Sequence, residues 1–506
     1  MTLMTSNKLA LALAAIKKLQ DKGHTVFKGQ SIKRGHQEIL KANGFLKEII
    51  KGWYYYSPLN DTAGESTVWN ATWKDFIATY SNDRFKKDWY LSPEQSLLIH
   101  ARSTSALQQI IIHSKKGSNN ITQLLNNASM MDYKTPVFLT KYITIKDGLN
   151  VLTPEASLLY VSETFFRNFA DDVQIVLSFI DNMSEMIEIL LEDRKPVVAG
   201  RITGALRVVG REDEANLIVR MMKLAGYTIT ENNPFQTHTV KQVTSTRESA
   251  FAARLTLMWS AMREDVLAVF PEEPGLPRSV STYVKNIQDK YAQDAYHSLS
   301  IEGYQVTEDL IRKIAANEWN ATMDKDTRNA FAAKGYHLAF EAVKDSVKKI
   351  LEGENAAQTI KNYHQLWYLQ LFTPSITAGI IAAKDVAGYR NAPVFIRESD
   401  HIPPDAMDAR NGMYAYFELL KQEPSAAVRA VLGHFLLVYI HPYLDGNGRM
   451  GRFIMNALLA SGGYSWTIVP VDRRAEYMAA LETASVQKNI RPFAEFIASC
   501  VQVQDS

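Results

Sequence analysis

Hydrophobic periodicity is strongest in the C-terminal half of the chain. From residue 241 onward, apolar residues recur every third or fourth position, which is typical of helices with one buried face. The segments 426–440 and 453–460 are apolar almost throughout, which predicts helices buried on all sides. A polar, glycine-rich stretch at 441–452 separates them. We therefore expect an all-helical domain with a glycine-rich turn between two buried helices.

The N-terminal segment 1–60 has a different pattern. Apolar residues between 9 and 19 follow helical spacing, and a second helical stretch covers 32–42 and ends at Asn43-Gly44, a common helix stop. Residues 45–56 have the pattern of two short strands joined by a turn at Lys51-Gly52. Helices followed by a β-hairpin predict a winged helix-turn-helix.

Helical and strand patterns are mixed between residues 61 and 240, which predicts an α/β middle domain to which we assign no role. Ser92-Pro93-Glu94 has the composition of a helix start, and 198–229 predicts two helices broken at Gly210. We find no internal repeat. The predicted domains are therefore 1–60, 61–240 and 241–506.

The amino-acid composition excludes several classes of protein. Of 506 residues, 46% are apolar, and 56 basic side chains nearly balance 54 acidic ones, so overall charge does not indicate a nucleic-acid or membrane binder. The single cysteine, Cys500, excludes an intrachain disulfide and a cysteine-based zinc site. We see no secretory signal, and no apolar run reaches the ~18 residues that span a bilayer. We expect a cytoplasmic protein without membrane contact.

Positive charge is concentrated in residues 1–60, where ten basic residues accompany three acidic ones. A basic winged helix is typical of DNA binding, and the alternative is a basic module that binds another protein. The stretch 39–58 resembles the N-terminal winged helix of AbiEi-type antitoxins and related bacterial regulators. That resemblance implies DNA as a partner of residues 1–60.

The candidate chemistry lies in the stretch 441–452. Where the following helix begins, backbone N–H groups lack partners and lie at the positive end of the helix dipole, an arrangement that binds phosphate. Gly446 and Gly448 let the backbone approach an anion closely. Arg449 and Arg452 are three residues apart, so they project from one helical turn and can grip different phosphates.

Two further side chains add proton transfer and metal binding. Asp445 is a hard oxygen ligand suited to Mg²⁺, which binds few carboxylates and bridges phosphates. His441 can accept a proton at neutral pH. These are the parts that phosphoryl or nucleotidyl transfer needs. The alternative, a solvated loop between helices, does not explain why so many such groups share one short stretch.

This stretch closely resembles the Fic family motif, H-x-F-x-D/E-G-N-G-R-x-x-R. Tyr443 replaces the usual Phe, and we expect its ring to pack in the same way. Gly448 argues against a kinase-like branch that carries Lys at this position. The matching residues are His441, Asp445, Gly446, Asn447, Gly448, Arg449 and Arg452.

The resemblance implies roles for these residues. His441 is expected to be the general base that deprotonates a target hydroxyl, and Asp445 to hold Mg²⁺ on the phosphates of ATP. The turn 446–448 and the arginines Arg449 and Arg452 are expected to bind the phosphate chain. Members of the family transfer AMP from ATP to Ser, Thr or Tyr of a protein and release pyrophosphate. We therefore expect a protein adenylyltransferase.

A β-prone run, Val394-Phe395-Ile396, follows Asn391-Ala392-Pro393. It resembles the Fic hairpin that pairs with an extended target segment by strand addition, and the alternative is an ordinary surface hairpin. The predicted fold class is thus mainly α: an all-helical Fic domain with a short β-hairpin flap, preceded by a winged helix-turn-helix and a mixed α/β region.

An upstream segment resembles the inhibitory motif of the family, in which Ser or Thr precedes Glu by four positions and Gly or Asn follows. Ser298, Glu302 and Gly303 match it. The resemblance implies that Glu302 pairs with Arg452 and inhibits transfer within the chain. The alternative is an exposed glutamate on a helix.

Three functions remain in competition. The first is AMP transfer to a protein hydroxyl, with the chain itself among the targets. The second is a DNA-binding regulator whose Fic domain senses nucleotide. The third is removal of AMP from a modified protein, with Glu302 positioning water. The sequence leaves the target and the formation of a homodimer undecided.

Overall fold

The computed structural model describes residues 2–21, 24–57, 65–235, 249–319 and 327–505. The backbone divides into two compact units. The first comprises residues 1–246 and 395–402, and the second comprises 247–394 and 403–506. The predicted domain boundaries at 60–61 and 240–241 both fall outside the described residues. Within the described ranges, no helix is both long enough and apolar enough to cross a bilayer.

The first unit combines helices with three small sheets. Strand order is β1-β3-β2 in one sheet and β4-β5-β7-β6 in the second, and β8 pairs with β9. The elements are α1 (Thr2–Gln20), β1 (Val26–Lys28), α2 (Arg34–Ala42), β2 (Leu46–Ile50), β3 (Trp53–Tyr56), α3 (Glu65–Phe85), β4 (Tyr90–Leu91), α4 (Pro93–His100), β5 (Gln109–Ser114), β6 (Ile121–Gln123), β7 (Ser129–Lys134), β8 (Ile143–Lys146), β9 (Leu149–Leu152), α5 (Pro154–Tyr160), α6 (Glu163–Asn168), α7 (Ala170–Phe179), α8 (Ser184–Glu192), α9 (Pro196–Val208) and α10 (Glu212–Leu224).

The aromatic strand β3 is buried on both faces, which explains its composition. Trp53 and Tyr55 pack in one apolar cluster with residues of α3, whereas Tyr54 packs in another with residues of α1 and α2. Successive side chains of a strand point to opposite faces, so an uninterrupted aromatic run fills both clusters. The predicted hairpin turn at Lys51-Gly52 is present, but the sequence patterns missed β1, which pairs with β3.

One short arrangement of strand and capped helix occurs twice in the first unit. Ser92-Pro93-Glu94 opens α4 after strand β4, and Thr153-Pro154-Glu155 opens α5 after strand β9. In each, the hydroxyl accepts a hydrogen bond from the backbone N–H three residues on. The predicted helix start at Ser92 is therefore present. The two copies share only a few positions, too few to give the periodic signal of a repeat protein.

Apart from turns and loops, the described residues of the second unit form only helices, as predicted. Its apolar core joins nearly all of these helices in one cluster. They are α11 (Ala250–Val269), α12 (Val280–Ile301), α13 (Glu308–Ala315), α14 (Thr327–Leu351), α15 (Ala356–Thr377), α16 (Ala406–Gln422), α17 (Ala426–Ile440), α18 (Asn447–Ala460), α19 (Arg474–Gln487) and α20 (Arg491–Asp505).

The predicted β-hairpin flap does not contain strands. Val394 lies in the second unit, and Phe395 and Ile396 lie in the first; none of the three is in a strand. The chain turns at Arg397 and Glu398, and the nearest pairing is a single bridge between Ser105 and His401 in the first unit. A strand needs a neighbour along its length, and the described residues of the second unit contain no strand that could supply one.

Close packing of α14 on α15 fixes the helix that lies beside the glycine-rich turn. A Cβ atom on Gly335 of α14 would lie 1.9 Å from the carbonyl oxygen of Leu371 on α15. Only glycine permits this approach, because backbone cannot move aside as a side chain can. One position on α14 therefore sets the placement of α15.

We expect Gly335→Ala to lower the free energy of unfolding by about 1–3 kcal/mol, the usual cost of overpacking a core. Thermal unfolding followed by circular dichroism measures this change. Gly35→Ala in α2 is the matched control, because its new Cβ atom meets nothing within 4 Å. Equal melting temperatures for Gly335→Ala and wild type would contradict the close packing of α14 on α15.

Candidate active site

The glycine-rich turn is closed by two backbone reversals and one amide side chain. His441 ends α17 in the left-handed region, with φ 52° and ψ 57°, and Gly446 precedes α18 with φ 82°. The Asn447 side chain spans the turn: its oxygen accepts from the Tyr443 N–H at 3.0 Å, and its nitrogen donates to the Tyr443 carbonyl at 2.9 Å. Asn447 thus fixes the loop that leads into α18.

Tyr443 packs as expected for an aromatic residue at this position. Its ring is fully buried and stacks on Tyr368 of α15, with centroids 3.8 Å apart and an interplanar angle of 14°. Its hydroxyl has no hydrogen-bond partner among the described residues. The ring, and not the hydroxyl, therefore anchors the turn to α15.

His441 is held as a neutral imidazole in one tautomer. Its Nδ1 lies 3.1 Å from the Val438 carbonyl oxygen. A carbonyl can only accept, so Nδ1 carries the proton and Nε2 carries the lone pair. Burial lowers the pKa of His441 to about 4, and the charge of Arg390 acts in the same direction. His441 is therefore unprotonated at Nε2 at neutral pH, as a general base must be.

Arg449 is a buried cation held between two rings. Its side chain is 1% exposed, and its guanidinium carbon lies 5.3 Å from the ring centroids of both Tyr304 and Phe372. Its Nη2 donates to Asp445 Oδ2 at 3.2 Å. The Nε–H has no partner among the residues that the structure describes. A buried donor without a partner is costly, and an anion above the turn would satisfy it.

Arg452 is bound by the upstream segment 298–302. Its Nε donates to Ser298 Oγ at 2.9 Å, and its Nη2 donates to the Ser298 carbonyl at 3.0 Å and to Glu302 Oε1 at 2.7 Å. The structure thus contains the pair that the inhibitory motif implied. Ser298 lies in α12, and Glu302 follows its last residue, where Gly303 at φ 85° reverses the chain. Nη1 of Arg452 has no partner in the described part of the chain.

The Glu302 carboxylate lies directly over the glycine-rich turn. A Cβ atom on Gly448 would be 2.3 Å from Glu302 Oε1, so only glycine leaves room for this carboxylate. Burial alone would raise the pKa of Glu302, but the charges of Arg452 and Arg449 and the hydrogen bond from Arg452 outweigh it and lower the pKa. Glu302 is therefore an anion at the position where the helix start binds anions.

Asp445 is the carboxylate of the turn that faces solvent. Its side chain is 62% exposed, and one oxygen accepts from the Gly446 N–H at 2.6 Å. No group of three or more His, Cys, Asp or Glu side chains is arranged as a metal site in the described ranges. A single exposed carboxylate fits Mg²⁺ that takes its remaining ligands from phosphates and water.

Sequence patterns missed the aromatic residues that shape this site. Tyr304, which follows the inhibitory motif directly, and Phe372, which precedes a proline in α15, flank Arg449. Both lie in segments with ordinary helical or turn composition. Their proximity to Arg449 depends on helix packing, and spacing along the chain does not reveal it.

A family model supports the identification of this site. Residues 356–459 match the Fic/DOC family. That interval contains the whole glycine-rich turn and the helices α15 to α18, apart from the last residue of α18.

Curated relatives match less than half of the chain. The chain is 32% identical over 219 residues to "Protein adenylyltransferase Fic" of Drosophila willistoni, covering 42% of this chain and 41% of that one. It is 30% identical over 220 residues to the protein of the same name from Nematostella vectensis, covering 43% and 48%. The matches thus span less than half the length of these relatives.

Among solved structures, Fic-1 from C. elegans is similar to 66% of this chain and 85% of its own length, at 18% identity. The TM-score of 0.36 is too low to support a shared fold by itself.

The ion pair of Glu302 predicts how stability depends on pH. Because its pKa is lowered in the folded state, Glu302 stabilises the fold above its ordinary pKa of 4.5, and this contribution is lost as the pH falls through the lower, folded value. We expect the melting temperature of Glu302→Gln to lie below that of wild type near neutral pH, and the difference to shrink below pH 4.5.

The control is Glu318→Gln, which changes an exposed glutamate in the same unit. Its melting temperature should follow that of wild type at every pH. A Glu302→Gln difference that stays constant from neutral to acid pH contradicts a carboxylate stabilised by Arg452 and Arg449.

Proposed function

The chain carries a Fic/DOC domain, and on that premise we propose that it transfers AMP from ATP to a hydroxyl of a protein, and that Glu302 inhibits this transfer. The observation that carries the proposal is the arrangement of an unprotonated His441 Nε2 beside a helix start whose two arginines have unpartnered N–H groups among the described residues. A base and an anion site side by side are what nucleotidyl transfer requires.

In the proposed reaction, the target hydroxyl oxygen attacks the α-phosphorus of ATP. The new P–O bond forms as the bond between the α-phosphorus and the oxygen that bridges to the β-phosphate breaks. The hydroxyl proton passes to His441 Nε2, and pyrophosphate leaves. The neutral state of His441 supports this role, because a protonated imidazole could not accept the proton.

The phosphate chain would bind to the start of α18 and to Arg449 and Arg452. The Nε–H of Arg449 and Nη1 of Arg452, which have no partner in the described ranges, are buried donors that phosphate oxygens would satisfy. When bound at Asp445, Mg²⁺ would neutralise phosphate charge. By the resemblance to the family hairpin, Val394, Phe395 and Ile396 would pair with an extended target segment, which would supply the neighbouring strand that they lack.

Inhibition follows in this proposal from competition for Arg452. Its guanidinium already binds Ser298 and Glu302, and the Glu302 carboxylate lies over Gly448, where a phosphate would come closest to the turn. ATP could then bind only with its phosphates displaced, and the α-phosphorus would be out of line with the attacking hydroxyl. Removal of the carboxylate frees both the cation and the space.

We expect Glu302→Gly to incorporate label from α-labelled ATP into itself or into added lysate proteins, and wild type to incorporate at least about tenfold less. The double variant Glu302→Gly/His441→Ala should not transfer AMP and should still bind ATP, because removal of the base leaves the phosphate site intact. Glu302→Gly/Asp445→Ala should show weaker Mg²⁺-dependent transfer, and an unchanged metal dependence would refute the ligand role of Asp445.

The controls separate the competing functions. Full labelling by the His441→Ala double variant would refute the general-base role. If no variant labels any protein although ATP binds, nucleotide sensing becomes the better proposal. If wild type instead removes AMP from labelled protein and Glu302→Gly does not, Glu302 serves hydrolysis and the direction of the reaction is reversed.

A second function is favoured by the N-terminal elements. The order α1, β1, α2, β2, β3 with a three-stranded antiparallel sheet is that of a winged helix. Lys33 just before α2, and Lys47 and Lys51 in the β2–β3 hairpin, are exposed. We propose that these lysines contact DNA phosphates, which would make the protein a DNA-binding regulator as well.

We expect the full-length variant Lys33→Ala/Lys47→Ala/Lys51→Ala to bind its own upstream DNA more weakly and with a smaller salt dependence. The salt slope should fall by about one unit for each phosphate that the variant no longer binds. A gel shift at several salt concentrations measures both effects. Lys116→Ala/Lys223→Ala, which changes exposed lysines elsewhere in the first unit, is the control. Equal salt slopes in the two variants would refute the assigned surface.

A further inference from the structure

Arg390 is a buried arginine that binds backbone carbonyls. It lies in the loop before Asn391, is 2% exposed, and belongs to the second unit. Its Nε donates to the His441 carbonyl at 2.7 Å, its Nη1 to the Ala392 carbonyl at 3.0 Å, and its Nη2 to the Pro404 carbonyl. Its own backbone N–H donates to the Pro442 carbonyl at 2.8 Å.

Through these contacts, the planar guanidinium of Arg390 joins three parts of the chain. One is the end of α17, where His441 adopts its left-handed conformation. The others are Ala392 and Pro404, which precede and follow residues 395–402 in the sequence. A guanidinium has donors in a fixed fork, so these carbonyls are held at fixed distances from one another.

The free-energy cost of burying this charge indicates that an arginine is specifically needed at position 390. Burial lowers the pKa of Arg390 to about 10, with the charge of Asp405 as the opposing effect. Carbonyl oxygens compensate a buried cation only in part, and a neutral residue would avoid the penalty. Hydrogen bonds that only hold two loops together do not require a charged donor.

We propose that Arg390 is a positioning residue that orients His441 for proton transfer. The imidazole of His441 is fixed at one end by its Nδ1 hydrogen bond to Val438. Arg390 fixes the backbone of His441 through its carbonyl. Because both the ring and the backbone are held, the direction of Nε2 is set before any substrate arrives.

The neighbouring residue strengthens this attachment. The Tyr389 hydroxyl lies 2.8 Å from Nε2 of His364 on α15, and the Tyr389 ring lies 5.7 Å from the ring of Tyr443 in the turn. Tyr389 and Arg390 therefore connect α15 to the turn that carries His441.

A lysine cannot replace Arg390 in this role. Its single ammonium nitrogen keeps the charge but cannot donate simultaneously in one plane to the carbonyls of His441, Ala392 and Pro404. Glutamine is planar but has only one donor nitrogen, so it also loses the fork, and in addition it removes the charge. Equal losses in the two Arg390 variants would therefore assign the effect to the fork geometry rather than to the charge.

The inference rests on the proposed transfer, so the experiment uses the full-length Glu302→Gly protein as its active background. Arg390→Lys, Arg390→Gln and Arg429→Lys are introduced separately into it. Arg429 is the matched control: it is partly buried, also donates to backbone carbonyls, those of Glu423 and Pro424, and lies in the same unit. Its third hydrogen bond goes to Ser461 Oγ, beyond the end of α18 and away from the glycine-rich turn.

We expect Arg390→Lys and Arg390→Gln to lower kcat by about 100-fold, the effect of a small misplacement of a catalytic group, with KM for ATP unchanged. Arg429→Lys should leave kcat near that of the background protein. Equal kcat values for the Arg390 and Arg429 variants, or a change confined to KM, would overturn the proposal.

A second measurement keeps the inference testable even if no AMP is transferred. Histidine labelled at its ring carbon gives an NMR signal for His441, assigned by its loss in His441→Gln. Arg390→Lys and Arg390→Gln should shift this signal, and Arg429→Lys should not. A His441 signal that is unchanged in a folded Arg390 variant overturns the positioning role, whereas absent transfer with a shifted signal refutes only the proposed function.

Discussion

The short connection between α17 and α18 is the constraint on which the site depends. Both helices are buried, so their ends are fixed by packing, and the chain must reverse between Ile440 and Asn447. It does so with left-handed backbone at His441 and Gly446, an unusual conformation for a histidine. The strain at His441 persists because surrounding groups hold it: Val438 at the ring and Arg390 at the carbonyl.

The short connection between α17 and α18 also concentrates positive charge at the start of α18. The helix start and the arginines of its first turns lie in a closed core, where Arg449 and Arg452 are almost fully buried. Two buried cations side by side repel, so the site is stable only with an anion nearby. Glu302 supplies that anion from the end of α12, and the site is thereby preformed without substrate. The Glu302 carboxylate is in this sense a structural stand-in for an anion such as phosphate.

Sequence patterns predicted the parts of the site that are local. The turn 441–452 is contiguous, so spacing alone indicated that its glycines, arginines and carboxylate lie together, and the pairing of Glu302 with Arg452 followed from a resemblance. The all-helical second unit was also predictable from periodicity. Strand β1 is only a few residues long, and its pairing with β3 is not a local property. Arg390 donates to the carbonyls of His441, Ala392 and Pro404, and no spacing rule encodes such a set of contacts.

The predicted strand of the flap is absent because strand pairing, like the pairing of β1 with β3, is not a local property of the sequence. The position of this segment has a consequence for how the gene can recombine. Residues 395–402 interrupt the Fic/DOC interval, yet they belong to the first unit, where the Ile402 N–H donates to Thr104 and the Ala106 N–H donates to Asp400. A gene fragment that encoded only the C-terminal half would retain this segment without its partners. The two halves of the gene therefore cannot be exchanged independently. Recombination that replaced one half would have to preserve the contacts between residues 400–402 and residues 104–106.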